Sequence, residues 1–183
     1  MGGGYITNYL HQKGLNSIGI DFSSNMIEIA KQEHPNVEFR NINIVDLDNY
    51  LEENSVDGIV AIYSLYFIPR KYIDKTLNAI SRVLKNGGKL LMVSQKGNGE
   101  QYLEDTLTPE DVGAKPLFVN LYQKEELVRL LEKHGFIIDS FREVENTDPN
   151  ELSSGGRFVI SITNEKEKKV VIDSISTNSK SKR

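Results

Sequence analysis

The chain has 183 residues, 38% hydrophobic and 26% charged, with a net charge of −4 and a pI near 5.5: length enough for one domain with its own core, and no broad basic surface for nucleic acid. Cysteine is absent, which excludes disulfides, thiolate zinc sites and a cysteine nucleophile. No apolar run approaches the ~18 residues of a membrane span and the N-terminus lacks the basic-then-apolar order of a signal peptide, so a cytoplasmic protein without membrane contact is expected.

Taken in order, the stretch from Gly2 to Asp21 reads loop, helix, turn, strand, carboxylate. A helix is predicted over Tyr5 to Lys13, with Ile6, Tyr9 and Leu10 on one face and Gly14 as its stop. The strand Ser17 to Ile20 delivers Asp21 at its C-terminal end, and a second helix starts behind Ser23, runs through Met26, Ile27 and Ala30, and stops at His34-Pro35. A strand over Val37 to Ile42 and an acidic loop, Asp46 to Asn54, lead to Val56–Ile62, whose nearly continuous apolar run predicts a strand buried on both faces.

Pro69 opens a helix in which Ile73, Leu77, Ile80 and Leu84 recur at helical spacing until Asn86-Gly87-Gly88. The strand Lys89 to Ser94 follows, then a long unpatterned loop over residues 95–120, read as a lid or substrate wall. Lys124 to His134 is a helix stopped by Gly135, and strands Phe136 to Val144 and Arg157 to Thr163 flank a polar loop. Alternating strands and helices closed by two strands without a helix between them predict a mainly parallel sheet with an antiparallel last strand. From Asn164 the composition turns to Glu, Lys, Ser and Asn, so residues 164–183 are expected to form a disordered tail behind a domain over 1–163. His11, His34 and His134 fall on separate elements without metal-ligand spacing, and no metal site is expected.

The chemistry sits in the first stretch. Glycines let a backbone approach a ligand, and a helix N-terminus offers unpaired N–H groups to an anionic or polar tail. A carboxylate at a strand end can accept both hydroxyl protons of a ribose. A dinucleotide fingerprint would continue Gly2-x-Gly4-x-x-Gly, but Thr7 takes the third place, which disfavours a nicotinamide cofactor.

Read instead as the end of G-x-G-x-G, Gly2 and Gly4 resemble the first motif of the class I S-adenosylmethionine (AdoMet)-dependent methyltransferases. Asp21-Phe22-Ser23-x-x-Met26 resembles that family's second-strand motif, Asp57 to Leu65 with Ile68-Pro69 its fourth strand and exit, Arg82 to Gly88 the turn before its fifth strand, and Glu125 to Phe136 its sixth element. The resemblance covers residues 2–163. It implies an α/β, Rossmann-like sheet of order 3-2-1-4-5-7-6 with the last strand antiparallel, AdoMet as cofactor, and methyl transfer to a small-molecule acceptor. It implies cofactor contacts at Gly2, Gly4, Asp21 (ribose), Phe22 and Met26, Asn43 in the place of an adenine-binding Asp, Ile44, and Ile62 beside the methionine part. Phe67 stands where related enzymes carry a histidine, and no catalytic residue is assigned.

The family's usual first strand would precede Gly2, so this chain is expected to lack it. Three accounts stay open: an N-terminally truncated chain, a homologue that binds without catalysing, or insertion of Lys169-Val170-Val171-Ile172-Asp173 as a permuted strand. Tyr63, Tyr66 and Tyr122 are read as packing or as pocket walls, and Lys96 and Glu100 as solvated loop charges or substrate contacts. Acceptor and oligomeric state are not legible.

Overall fold

The computed structural model describes residues 3–103, 116–145 and 156–165. In chain order these form α1 Tyr5–Gln12, β1 Ile18–Asp21, α2 Ser24–Glu33, β2 Glu38–Asn41, β3 Val56–Ile62, α3 Arg70–Val83, β4 Leu84–Gln95, β5 Gly99–Leu103, β6 Leu117–Leu121, α4 Lys124–Lys133, β7 Phe136–Val144 and β8 Arg157–Asn164. Two 3-10 turns, Ile44–Asn49 and Leu65–Phe67, follow β2 and β3.

Local chemistry sets the boundaries. Ser23 caps α2, its Oγ accepting the Met26 N–H at 3.4 Å, and the Asn43 side chain accepts the Val45 N–H at 3.1 Å to start the turn after β2. Pro69 precedes α3, and α4 gives way to Gly135 at φ 79°, the left-handed conformation that favours glycine.

β1 and β2 pair in parallel, with Asp21 opposite Asn41. β3 pairs in parallel with β4, while β8 runs antiparallel between β4 and β7, giving the order β3-β4-β8-β7. This is the right-hand part of the expected sheet, last strand antiparallel included. Among the described residues no ladder joins β1 to β3, so the two pieces of sheet are separate. The stretch Lys169–Asp173 lies outside the described residues.

One core lies under the larger sheet. Ile73, Leu77 and Ile80 of α3 and Leu127 and Leu131 of α4 pack on Leu90, Met92, Phe158, Ile160 and Ile162 of β4 and β8, all buried. A smaller cluster, Ile27, Ala30, Val37 and Phe39, holds α2 to β2. Even-numbered residues of β4 and β8 face the helices, so Leu91, Val93, Val159 and Gln95 stand on the opposite face.

Three expectations need correction. β3 is not covered on both faces, since Ala61 is buried while Val60, like Ile18 and Leu91, is exposed; β1 and β3 each keep an edge unpaired among the described residues. The apolar stripe of α1 is likewise uncovered, with Ile6 and Tyr9 exposed and Thr7 its buried residue. The predicted loop over 95–120 contains the antiparallel pair β5–β6, Gly99 opposite Leu121 through Leu103 opposite Leu117. Its strands are too far apart in sequence for a tight-turn signal to mark the pair. Lastly, Asn164 does not open a tail but closes β8, fully buried. Its Nδ2 donates to the carbonyls of Ser81 (2.9 Å), Leu84 (3.2 Å) and Lys85 (3.3 Å), and its Oδ1 accepts from Ser81 Oγ at 2.9 Å, so it satisfies the carbonyls that the end of α3 leaves open.

Candidate functional site

The first half of the site lies at the C-terminal end of β1 and β2. Asp21 ends β1, and its Oδ1 accepts the Ser23 N–H at 2.9 Å, which orients the carboxylate across the entry to α2. Its own carbonyl accepts Asn41 Nδ2 and the Ile42 N–H, both at 3.0 Å, so the β2 exit is fastened beside it. Phe22, next in the chain, is 74% exposed, and Met26, in the first turn of α2, is 41% exposed. A carboxylate at a strand exit followed by uncovered apolar residues suits a polar sugar joined to a flat apolar ring.

Asn43 lies two residues beyond Asn41. Its Oδ1 is engaged in the turn after β2, although an amide oxygen retains a second lone pair. Ile44 is half-buried against the main core, and Ile62, also half-buried, ends β3 in the other piece of sheet. Gly2 lies outside the described residues. Gly4, the N-cap of α1, has φ 82°, and a Cβ there would meet the Phe39 ring at 2.8 Å and Ala30 Cβ at 3.1 Å. The packing of α1 onto α2 and β2 therefore requires glycine at this position, a reason independent of any ligand. Asp21, Phe22, Met26 and Asn43 thus come together, with Ile62 apart from them.

The second half surrounds the exits of β3 and β4. Tyr63 follows β3 at φ 51°, costly for a non-glycine residue. It is held there by its N–H, donated to the Val93 carbonyl at 3.0 Å, and by Arg157, whose Nη1 reaches its hydroxyl at 3.5 Å. Tyr66 stacks on Phe67 with centroids 4.1 Å apart, and burial raises its phenol pKa. Tyr122 is buried and its hydroxyl is pushed up to about 12, chiefly by burial, so it stays protonated at neutral pH.

Arg70 binds this region together. Its guanidinium forks onto Glu126, donates Nη2 to the Leu121 carbonyl at 3.0 Å and lies 4.8 Å over the Tyr122 ring. Its backbone N–H donates to Glu100 Oε1 at 2.7 Å, so Glu100 caps α3 from the β5–β6 pair. The hydrogen bonds from Arg70 hold the Glu126 carboxyl below the usual range. Lys96 pairs with Glu143 of β7. Glu100 is exposed and the Lys96–Glu143 pair about one-third exposed, so both are solvent-facing charges, each with a partner that the sequence did not signal.

Two amide oxygens stand out by contrast. Asn120 is fully buried and donates Nδ2 to the Ile68 carbonyl (3.0 Å) and to Tyr122 Oη (2.6 Å), while its Oδ1 has no hydrogen-bond partner among the described residues. The Oε1 of buried Gln95, at the end of β4, is in the same state. A cavity of about 10 Å³ among Leu65, Ile73, Leu77, Met92 and Tyr122 has room for one water molecule and is a packing void. No cluster of three His, Asp or Glu side chains able to hold a metal occurs among the described residues, and no helix among them is long and apolar enough to cross a membrane.

Sequence reasoning missed Arg70, Gln95, Asn120, Glu126 and Arg157. Arg70 and Glu126 find each other 56 residues apart, Asn120 reaches Ile68 and Arg157 reaches Tyr63, so no spacing signals these contacts; the one available hint is polar residues at the ends of predicted strands.

Against known proteins, a family model described as "Methyltransferase domain" matches residues 1–92, half of the chain. The ubiquinone/menaquinone biosynthesis C-methyltransferase UbiE of Campylobacter jejuni is 37% identical over 79 residues, 43% of this chain and 32% of that protein. The chain spans about a third of the length of the first curated relatives it matches. A SAM-dependent methyltransferase from Methanosarcina mazei superposes with a TM-score of 0.76 at 25% identity, over 91% of this chain and 90% of that one. The 1,6-didemethyltoxoflavin-N1-methyltransferase of Burkholderia thailandensis, solved with its substrate and S-adenosylhomocysteine, shares the fold: TM-score 0.67, 16% identity, 90% of this chain and 68% of that one.

Proposed function

The chain belongs to the methyltransferase-domain family, and on that premise we propose that it transfers a methyl group from AdoMet to a small-molecule acceptor. AdoMet supplies an electrophilic methyl group on a sulfonium, so the protein's task is chiefly to align donor and acceptor. The observation that carries the reading is Asp21: a carboxylate oriented by the Ser23 N–H at a strand exit, with the exposed apolar residues Phe22 and Met26 following it in the chain. In this reading Asp21 holds the ribose hydroxyls, Phe22, Met26 and Ile44 border the adenine, and Asn43 uses its remaining lone pair for the adenine amino group. In the same reading Gly4 and Ile62 contact the methionine part, the role that the family resemblance also gives to Gly2. The acceptor lies beyond Tyr63, against the wall built by the β5–β6 pair.

Calorimetric titration of the purified chain with AdoMet tests this. Micromolar binding that weakens at least about 100-fold in Asp21→Ala is expected, because two charge-assisted hydrogen bonds are lost at ~1.5–3 kcal/mol each. Equal affinity in Asp21→Ala would overturn the assignment. A second reading, a methyltransferase-like protein that binds without turnover, draws on the edges of β1 and β3 that have no partner strand among the described residues. Binding of AdoMet with no methyl transfer to any of a panel of oxygen, nitrogen and carbon nucleophiles would support it.

A further inference from the structure

We propose that Tyr63 selects the methyl acceptor by stacking on it, and that the acceptor is a flat aromatic molecule. The proposal rests on the methyl-transfer reading and specifies the substrate class for it.

Tyr63 stands at the exit of β3, directly after Ile62, the residue that the reading sets beside the methionine part of the donor. Its backbone has φ 51°, in the left-handed region. A Cβ there crowds the following carbonyl oxygen, so glycine, and to a lesser degree asparagine, takes up this conformation far more readily than an aromatic residue does. A strained non-glycine residue persists only where its surroundings over-determine it, and such residues cluster at binding sites. Contacts on both sides of the residue hold the turn. The Tyr63 N–H donates to the Val93 carbonyl at 3.0 Å, Ser64 Oγ donates to the Ile62 carbonyl at 3.2 Å, and Arg157 Nη1 reaches the Tyr63 hydroxyl at 3.5 Å. The fold therefore fixes the direction of the ring.

What surrounds that ring is aromatic and apolar. Tyr66 meets it edge-on, with centroids 6.0 Å apart and planes at 73°, and Phe67 stacks on Tyr66 at 4.1 Å. Tyr66 is buried with Val119 and Leu121 of β6, whereas Tyr63 and Phe67 border that cluster and are only half-buried. Packing uses part of the Tyr63 ring and leaves part of it uncovered, next to the strand end at Ile62. An uncovered aromatic ring bordered by apolar side chains suits another flat ring, because offset or edge-on aromatic pairs gain more than the burial of area alone. A saturated ring of the same outline has no π-face and gains only the burial.

2-Naphthol and trans-2-decalol separate these two gains: they share the bicyclic outline and the hydroxyl, and only the first is flat and aromatic. The measurement is a ligand-observed NMR titration of the full chain saturated with S-adenosylhomocysteine, which keeps the probes out of the cofactor half. 2-Naphthol should bind about fivefold more tightly than the decalol, or better. Tyr63→Phe should keep that ratio, and Tyr63→Gly and Tyr63→Leu should bring the two affinities together. Glycine also tests the strain: Tyr63→Gly should melt above Tyr63→Ala, the reverse of the usual order, because only glycine relieves the left-handed backbone. AdoMet affinity, measured by calorimetry on the same samples, should be unchanged in these variants. Equal probe affinities in the wild-type chain, no binding of 2-naphthol up to its solubility limit, or a preference that survives in both Tyr63→Gly and Tyr63→Leu would each overturn the proposal. So would a Tyr63→Gly variant that melts at or below Tyr63→Ala, or a fall in AdoMet affinity in Tyr63→Gly and Tyr63→Leu, which would assign the ring to the donor. Calorimetry on the wild-type chain separates the failures: AdoMet bound without probe preference refutes this inference alone, whereas no AdoMet binding refutes the methyl-transfer reading and this inference with it.

Discussion

Replacing Asn164 tests how the last strand is locked to the rest of the domain. In Asn164→Leu the branched outline of the side chain is kept, though it is bulkier, but there is no Nδ2 to reach the carbonyls of Ser81, Leu84 and Lys85, and Ser81 Oγ loses its acceptor. The Leu84 carbonyl is buried, so its loss approaches the full ~1–3 kcal/mol for an unmatched group, whereas the Ser81 and Lys85 carbonyls are part-buried and recover water. A total of about 2–4 kcal/mol follows, or roughly 4–16 °C in Tm for a domain of this size. Urea denaturation with an unchanged m-value measures it. Asn164→Asp adds a second signature: a buried carboxylate facing three carbonyl oxygens has its folded pKa raised above the unfolded value near 3.9. The stability of that variant is then greatest below pH ~4 and falls as pH rises through the folded pKa. If Asn164→Leu melts like the wild type, or Asn164→Asp has a pH profile parallel to it, the hydrogen bonds drawn here do not hold β8 in place.

Gly4→Ala should cost about 2–5 kcal/mol, from left-handed backbone strain and overlap with the Phe39 ring, and Gly4→Ala with Phe39→Leu should recover the overlap but not the strain. Loss of AdoMet affinity at unchanged Tm would instead place Gly4 against the ligand. Glu126→Gln removes a carboxyl held low by Arg70; because both partners are about one-third exposed, the loss at pH 7 should be no more than ~1 kcal/mol. Since the folded pKa is depressed, that contribution is present above the unfolded value of 4.5 and is lost as pH falls through the folded one, so chemical melts of wild type and variant should converge in acid. A gap that widens in acid would refute the pairing.

Outside residues 95–120 the sequence by itself determined the order of the helices and strands and most of their bounds, because capping, helix-stop and periodicity signals act between residues a few positions apart. Ser23 starts α2, Gly135 follows α4, and the strands Val56–Ile62 and Phe136–Val144 fall where their patterns put them. It also set Asp21 at a strand exit, since alternation of apolar runs with turns is enough to put a carboxylate there. Only the tertiary structure decided which predicted faces find a partner. The stripe of α1 was legible, but its burial depends on what adjoins β1 and β3, and Ile6, Tyr9 and Val60 are exposed. Likewise Glu100 and Lys96 read as ordinary loop charges until folding brought Arg70 and Glu143 to them, and Asn164 read as the first residue of a polar tail until Ser81, 83 positions earlier, stood beside it. A hydrogen bond closes across space over 3 Å whatever the distance along the chain, and sequence spacing carries no record of that.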